Sequence, residues 1–330
     1  MNVAGDIVAY LPGLGEPLRT NGYGFAVQEV DYRDNPGHDS AWVDRQAARY
    51  GGRRSVWWRQ NYERELIRGG QTVWPMLSRE VHLRTIPPQE LCSAAWSLYR
   101  GLDHGIRHPT CCAWAAVNKG GDLYVFRQYY ATDRTISHNV KAILQLSGRD
   151  EYVHATVADP SLAQRNALTL EPLSDLYRKE GLTLLSADNS AAGYELLTAM
   201  FVASLARQAV WSKNLEGLKS TLNAPTLTLG DAQRLAQHRA LWFSPSVAQG
   251  PMSVYEQVAN LRWRQATGDP TQRAAPATYV DVDDEGPDVV RYLAQTSGVV
   301  RWRPPVERPE APDLLRMILS RAAPAPSQLD

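Results

Sequence analysis

Three acidic stretches carry the chemistry this sequence could perform. Asp103 ends an apolar run in Tyr99-Arg100-Gly101-Leu102-Asp103-His104-Gly105, and Asp159 ends another in Ala155-Thr156-Val157-Ala158-Asp159-Pro160. Each run reads as a strand that delivers a carboxylate at its exit. If the two strands are parallel neighbours, their carboxylates meet in one crevice at the strand C-termini. The third stretch, Asp283-Asp284-Glu285-Gly286-Pro287-Asp288, opens a helix: Pro287 suits a first turn and acids are favoured there by the helix dipole. Set against the two strand ends, Asp288 completes an oxygen-only donor set suited to Mg²⁺ or Mn²⁺. Hydrolysis of a phosphodiester calls for several carboxylates, because two ions ~3.5–4 Å apart clamp the attacking water and the leaving oxygen. A cation also lets such close acids stay ionised. Taken singly, an Asp after a strand is more often a turn or capping residue, so the argument rests on three in order.

Within the third stretch, a residue before proline is pushed out of the helical region. Asp284 is therefore expected in the approach loop and Asp288 in the first turn. A first-turn residue is the better-preorganised ligand, so Asp288 is expected to bind metal directly and Asp284 to serve the second ion or its water.

The surrounding pattern is α/β. Residues 96–103, 111–117 and 123–130 read as strands, the last two joined by the turn Lys119-Gly120-Gly121-Asp122. A helix is expected at 137–146, a strand at 152–158, a helix at 172–180, a short strand at 182–185 and a long helix at 193–208. The turn-rich stretch 210–275 reads as an insertion, with an apolar burst at 241–243 and a helix at 254–265. A last helix is expected at 287–295. Upstream, a strand is expected near 25–30 and helices at 40–50 and 56–68. Pro87-Pro88 continues neither ladder and is expected to hold the chain extended at a boundary. The proline-rich residues 303–330 are expected to be a mobile tail.

Composition narrows the class. The 330 residues are 44% hydrophobic, enough for a full core. No segment approaches the ~20 apolar residues of a membrane span, and a cytoplasmic location is expected. Formal net charge is zero, so any nucleic-acid contact must come from a local patch. Trp263 and Trp302, flanked by arginines, are candidates for it, whereas Trp57, Trp58 and Trp74 are expected in packing. Cys92, Cys111 and Cys112 offer no disulfide framework. Zinc is not expected from His104, His108, Cys111 and Cys112, because their spacing fits no common finger and adjacent strand residues face opposite ways. His104 is instead a candidate to line the acid site.

Gly101-Leu102-Asp103 before a hairpin, Ala158-Asp159-Pro160, and Asp284-Glu285-Gly286-Pro287-Asp288-Val289-Val290-Arg291-Tyr292 together resemble the three acidic motifs of tailed-phage large-terminase nuclease domains. The family's late motif usually reads Asp-His-x-x-Asp-Ala-x-Arg-Tyr; here Glu285 replaces the His. Upstream, Asp31-Tyr32, Asn35-Pro36, Trp42, Trp58-Arg59-Gln60-Asn61-Tyr62-Glu63, Gly70-Gln71-Thr72-Val73-Trp74-Pro75 and His82 resemble the run from the packaging motor into the nuclease.

The resemblance implies a ribonuclease-H-like mixed sheet flanked by helices, with 1–88 a remnant of the ATPase or linker region and 89–302 the nuclease domain. It implies a two-metal endonuclease that cuts double-stranded phage DNA during packaging, with Asp103, Asp159, Asp288 and Asp284 as metal and catalytic residues. Implied partners are DNA, portal protein, small terminase and a motor ATPase acting in trans, since no Gly-x-x-x-x-Gly-Lys-Ser/Thr loop occurs. Two other readings stay open: another ribonuclease-H-like nuclease such as a transposase or resolvase, for which a Glu on the final helix speaks, and a silent DNA- and portal-binding subunit.

Overall fold

A computed structural model describes residues 32–304, apart from 56–57, 60–61, 64–71, 106–107, 149–151, 165–170, 191 and 264–283, together with three short strands before them. Those strands, β1 (Ile7–Ala9), β2 (Leu18–Thr20) and β3 (Ala26–Val27), form an antiparallel sheet of their own. Helices α1 (Ser40–Arg49), α2 (Arg79–His82) and α3 (Pro88–Leu91) follow. Next come β4 (Trp96–Asp103), β5 (Thr110–Asn118), β6 (Leu123–Ala131), α4 (Ile136–Leu146) and β7 (Val153–Ala158). Then follow α5 (Leu173–Lys179), β8 (Leu184–Ser186), α6 (Ala192–Ser212), α7 (Leu215–Leu222) and α8 (Leu229–Ala236). The series closes with β9 (Leu241–Phe243), α9 (Val254–Asn260) and α10 (Glu285–Gln295).

The main sheet has the order β8-β7-β4-β5-β6-β9. Only β5 runs against the rest: it pairs antiparallel with β4 and β6, whereas β4–β7, β7–β8 and β6–β9 are parallel. Covered on both faces, β5 reads as a nearly unbroken apolar run, Thr-Cys-Cys-Ala-Trp-Ala-Ala-Val-Asn. Alternation sends Cys111, Ala113, Ala115 and Val117 into the core beneath α6 to α10, and Cys112 and Trp114 into a second core beneath α4 and α5. The adjacent cysteines thus face opposite ways, and none of the three cysteines is in a disulfide.

Three expectations need correction. Residues 210–275 are not an insertion where described: Leu241–Phe243 is the sixth strand, in register with Leu123, Tyr124 and Val125. The polar helices α7 and α8 passed for turns because their caps are turn residues. Asn214 caps one end of α7 and left-handed Asn223 (φ 47°) the other, while Thr228 and Asp231 form a capping box on α8. The proline pair does not stay extended, since Pro87 is extended but Pro88 occupies the first turn of α3. Helix α9 stops at Asn260 rather than 265, and α10 begins at Glu285 rather than 287. Most of the helix expected at 56–68, Trp57 included, and most of the tail lie outside the described residues.

The segment before β4 is not loosely attached. Asp44, fully buried on α1, accepts from Arg53 Nε (2.6 Å) and from the Thr226 backbone N–H (2.6 Å). Val73, Trp74 and Met76 belong to the same core as β5 and α6.

Helix α10 crosses β4 at Gly101, where a Cβ would stand 2.8 Å from Val289 Cγ1 and 2.9 Å from the Val289 carbonyl oxygen. Only glycine allows this approach. Gly101→Ala is expected to cost about 1–3 kcal/mol through overpacking, measured by denaturant unfolding; unchanged stability would show that α10 can lift off without penalty.

Candidate active site

Strands β4 and β7 pair in parallel with Leu102 opposite Ala158, so Asp103 and Asp159 leave adjacent strand ends together. Packing of α10 over β4 brings Asp284, Glu285 and Asp288 to the same end. The sequence-identified acids therefore converge; Asp283 lies outside the described residues.

Asp103 is largely enclosed, and among the described residues no donor reaches its carboxylate. Burial, followed by the charges of Asp288, Glu285, Asp284 and Asp159, pushes its pKa from 3.8 up to about 8. Asp159 behaves oppositely. Burial would raise it, but hydrogen bonds from Ser161 and Tyr292 and the charge of Arg291 outweigh burial and hold it below the usual carboxylate range. Its Oδ1 accepts the Ser161 N–H (2.6 Å), capping the 3₁₀ turn Pro160–Ala163, and its Oδ2 accepts from Asn189 Nδ2 (2.7 Å) and the Tyr292 hydroxyl (2.9 Å). The capping role and the site role coexist in one side chain.

Asp288 Oδ1 accepts from Arg291 Nη2 (2.7 Å) and Nε (3.2 Å) and from the Tyr194 hydroxyl (3.3 Å). Among the described residues no donor reaches Oδ2. Burial raises the Asp288 pKa against the opposing pull of Arg291. Asp284 is the N-cap residue yet makes no side-chain capping bond, and its carbonyl accepts the Asp288 N–H (2.9 Å). The proline at 287 thus does not keep Glu285 and Gly286 out of the helix, whereas Asp284 stays outside it as the N-cap residue and Asp288 falls in the first turn. Glu285, 4% exposed, accepts from the Tyr130 hydroxyl (3.3 Å).

Arg291, also 4% exposed, lies between two tyrosines, 5.1 Å from the Tyr194 ring and 5.3 Å from the Tyr292 ring. Each tyrosine points its hydroxyl at one acid, Tyr194 at Asp288 and Tyr292 at Asp159. Arg291 and Tyr292 had a signal, at three and four residues after Asp288 on one helix. Tyr194, Asn189 and Tyr130 come from other elements and had none.

His104 does not line the acid cluster. Its Nδ1 meets the Tyr177 hydroxyl (2.8 Å) on the opposite face, and burial lowers its pKa. Trp302 lies at the far end of β4, donating to the Ala94 carbonyl (3.2 Å) beneath Lys119, and Trp263 packs on the core. Trp58 and Trp74 are buried in packing, as expected.

The donor set fits a hard divalent cation in its chemistry: oxygen ligands only, around a carboxyl that burial, together with neighbouring negative charge, pushes out of its ordinary range. As arranged, no group of three His, Cys, Asp or Glu side chains among the described residues is close enough to hold an ion. Asp159 is drawn toward Tyr292 and Asn189, and Asp288 toward Arg291. No helix of the described residues is long and apolar enough to cross a membrane.

No family model matches the sequence, and no curated protein sequence is similar to it. Solved structures are. The large terminase of the thermophilic bacteriophage D6E aligns with a TM-score of 0.51 at 13% identity, covering 81% of this chain and 53% of that one. The same terminase in complex with ATP-gamma-S gives 0.51 at 12% identity, covering 82% and 55%. The P22 large terminase nuclease domain aligns at 0.43 and 14% identity, covering 68% of this chain and 92% of that domain. The chain spans about half the length of the D6E terminase. Sheet order, acid-bearing strand ends and the two D6E alignments agree: over the aligned part the chain has the α/β fold seen in that large terminase, a mixed six-stranded sheet flanked by helices.

Proposed function

We propose that this protein is a divalent-metal-dependent endonuclease acting on double-stranded DNA, in the manner of a large-terminase nuclease. The observation that carries this reading is the convergence of Asp103, Asp159, Asp284, Glu285 and Asp288 at one end of a ribonuclease-H-type sheet, where burial first and the other acids second push Asp103 up to about 8. Asp103, Asp159 and Asp288 would hold Mg²⁺ or Mn²⁺, with Asp284 beside them; two bound ions supply charge neutralisation and an activated water. The chain's own residues do the positioning. Ser161, Asn189 and Tyr292 hold Asp159 ionised, and Arg291 and Tyr194 fix one oxygen of Asp288. The walls of α10 and β4 limit water around Asp103, which strengthens every charge interaction there. Action during genome packaging, together with portal, small terminase and a motor ATPase, belongs to the same proposal.

The resolvase reading keeps one specific support, the buried Glu285 at the start of the last helix. Junction-shaped and linear duplex substrates separate the two: preferential cutting of a four-way junction favours the resolvase.

Purified protein is expected to nick plasmid DNA with Mg²⁺ or Mn²⁺ and to be silent in EDTA, with Asp103→Ala inactive and folded. Mobility shift without cutting would leave only a binding subunit. On α10, Asp288→Asn is expected to lose at least about ten-fold more cutting than Asp284→Asn at equal thermal stability; a larger loss from Glu285→Gln would move the ligand to the position where the family has His. Asp103 also sets a pH dependence. A carboxyl whose pKa is raised on folding, here from 3.8 to about 8, contributes stability at low pH that is lost as pH rises through the folded value. In EDTA, Asp103→Asn should therefore match the wild type near pH 4 and exceed it increasingly toward pH 8. Parallel melting curves across that range would remove the buried-charge argument.

A further inference from the structure

The acid site is tied to the segment that precedes the sheet. Trp74, 1% exposed, stacks on Tyr194 with ring centroids 5.8 Å apart and planes 16° from parallel. Its indole N–H donates to Thr198 Oγ1 (3.0 Å), and that hydroxyl donates to the Tyr194 carbonyl (2.9 Å). Trp74 therefore grips α6 at two points one turn apart. Tyr194 carries Arg291 against its ring and donates to Asp288 Oδ1. On its other side the segment is anchored by the Val73 N–H on the Leu261 carbonyl (2.8 Å) and by a bridge between Thr72 and Arg262. Gly51, at φ +86°, approaches the same place: a Cβ there would meet Met76 and stand 3.2 Å from Thr198. Interiors packed at this density do not absorb a shifted tryptophan; they pass the displacement on.

We propose that Trp74 and Tyr194 are positioning residues for Asp288, so that the placement of residues 72–77 sets how well the acid site takes up a divalent cation. The proposal rests on the metal-dependent reading given above. Tyr194 acts as the arm: its hydroxyl fixes Oδ1 of Asp288, and among the described residues Oδ2 has no donor. Trp74 acts through Tyr194 by fixing the tilt of its ring. A ligand-orienting contact of this kind is worth about 10–100-fold in metal affinity.

The test is a Mn²⁺ titration of the full chain, followed by calorimetry and by the metal-induced rise in Tm, for Trp74→Phe and Tyr194→Phe, each with Asp288 and with Asp288→Asn. Tyr194→Phe keeps the stacked ring and removes only the hydroxyl, so its metal-free Tm should stay near that of the wild type. Each single variant is expected to weaken Mn²⁺ binding about ten-fold, and neither should weaken it further once Asp288 is Asn. Unchanged affinity in both single variants overturns the proposal. So does an equal loss in the Asp288→Asn background, which would mark a merely structural role. Failure of the wild-type protein to bind Mn²⁺ is a separate result, which overturns the metal-dependent reading and this proposal with it.

Discussion

Mutual repulsion among carboxylates is the constraint around which this molecule is arranged. Two strand exits and the first turn of a helix bring five acids to one place, and the cost falls unevenly. Asp103 bears it, enclosed and without a donor, whereas Asp159 and Asp288 are relieved by partners recruited from other elements. The buried Arg291 guanidinium, close to the rings of Tyr194 and Tyr292, provides most of the relief at Asp288, and Ser161 provides most of it at Asp159. The same crossing of α10 over β4 that concentrates the charge depends on the missing side chain at Gly101. Packing and electrostatics are therefore coupled at one point of contact.

The parts legible in the sequence were those with a strong local signal. The hairpin of β5 and β6 was readable from its apolar runs and Gly-rich turn, and Asp103 and Asp159 from their places after strands. Asp288 stood out because Pro287 marks a helix start. What escaped had either a misleading local signal or none. Residues 214–236 look like loops because Asn214, Asn223 and Thr228 are turn formers, yet each caps a helix. Leu241–Phe243 is too short to be recognised as a strand alone, and only its pairing with β6 makes it one. Tyr194 was one aromatic among many on an apolar helix, because its partner Asp288 lies 94 positions away.

Glu285 is where the sequence departs from the terminase motif it resembles, and the surroundings show how the carboxylate is accommodated. The carboxylate is buried and accepts from Tyr130 on β6, while Gln257 on α9 takes the neighbouring Gly286 N–H (2.7 Å). An extra negative charge in this position adds to the load on Asp103. A site with a histidine there would carry one fewer negative charge.

The parallel pairing of β4 with β7 and the late arrival of α10 have a consequence for biosynthesis. Asp103 and Asp288 are separated by 185 positions, and Asp159 falls between them. Contacts so distant along the chain form slowly and late, and during translation α10 emerges only after nearly every strand of the sheet has been made. A nascent chain can thus pair the strands of its sheet and fill the core beneath α4 and α5 while the larger core still lacks Val289, Val290, Tyr292 and Leu293 of α10 and the acid cluster lacks one wall. Assembly of the acid cluster then waits until α10 has been made and has packed on β4.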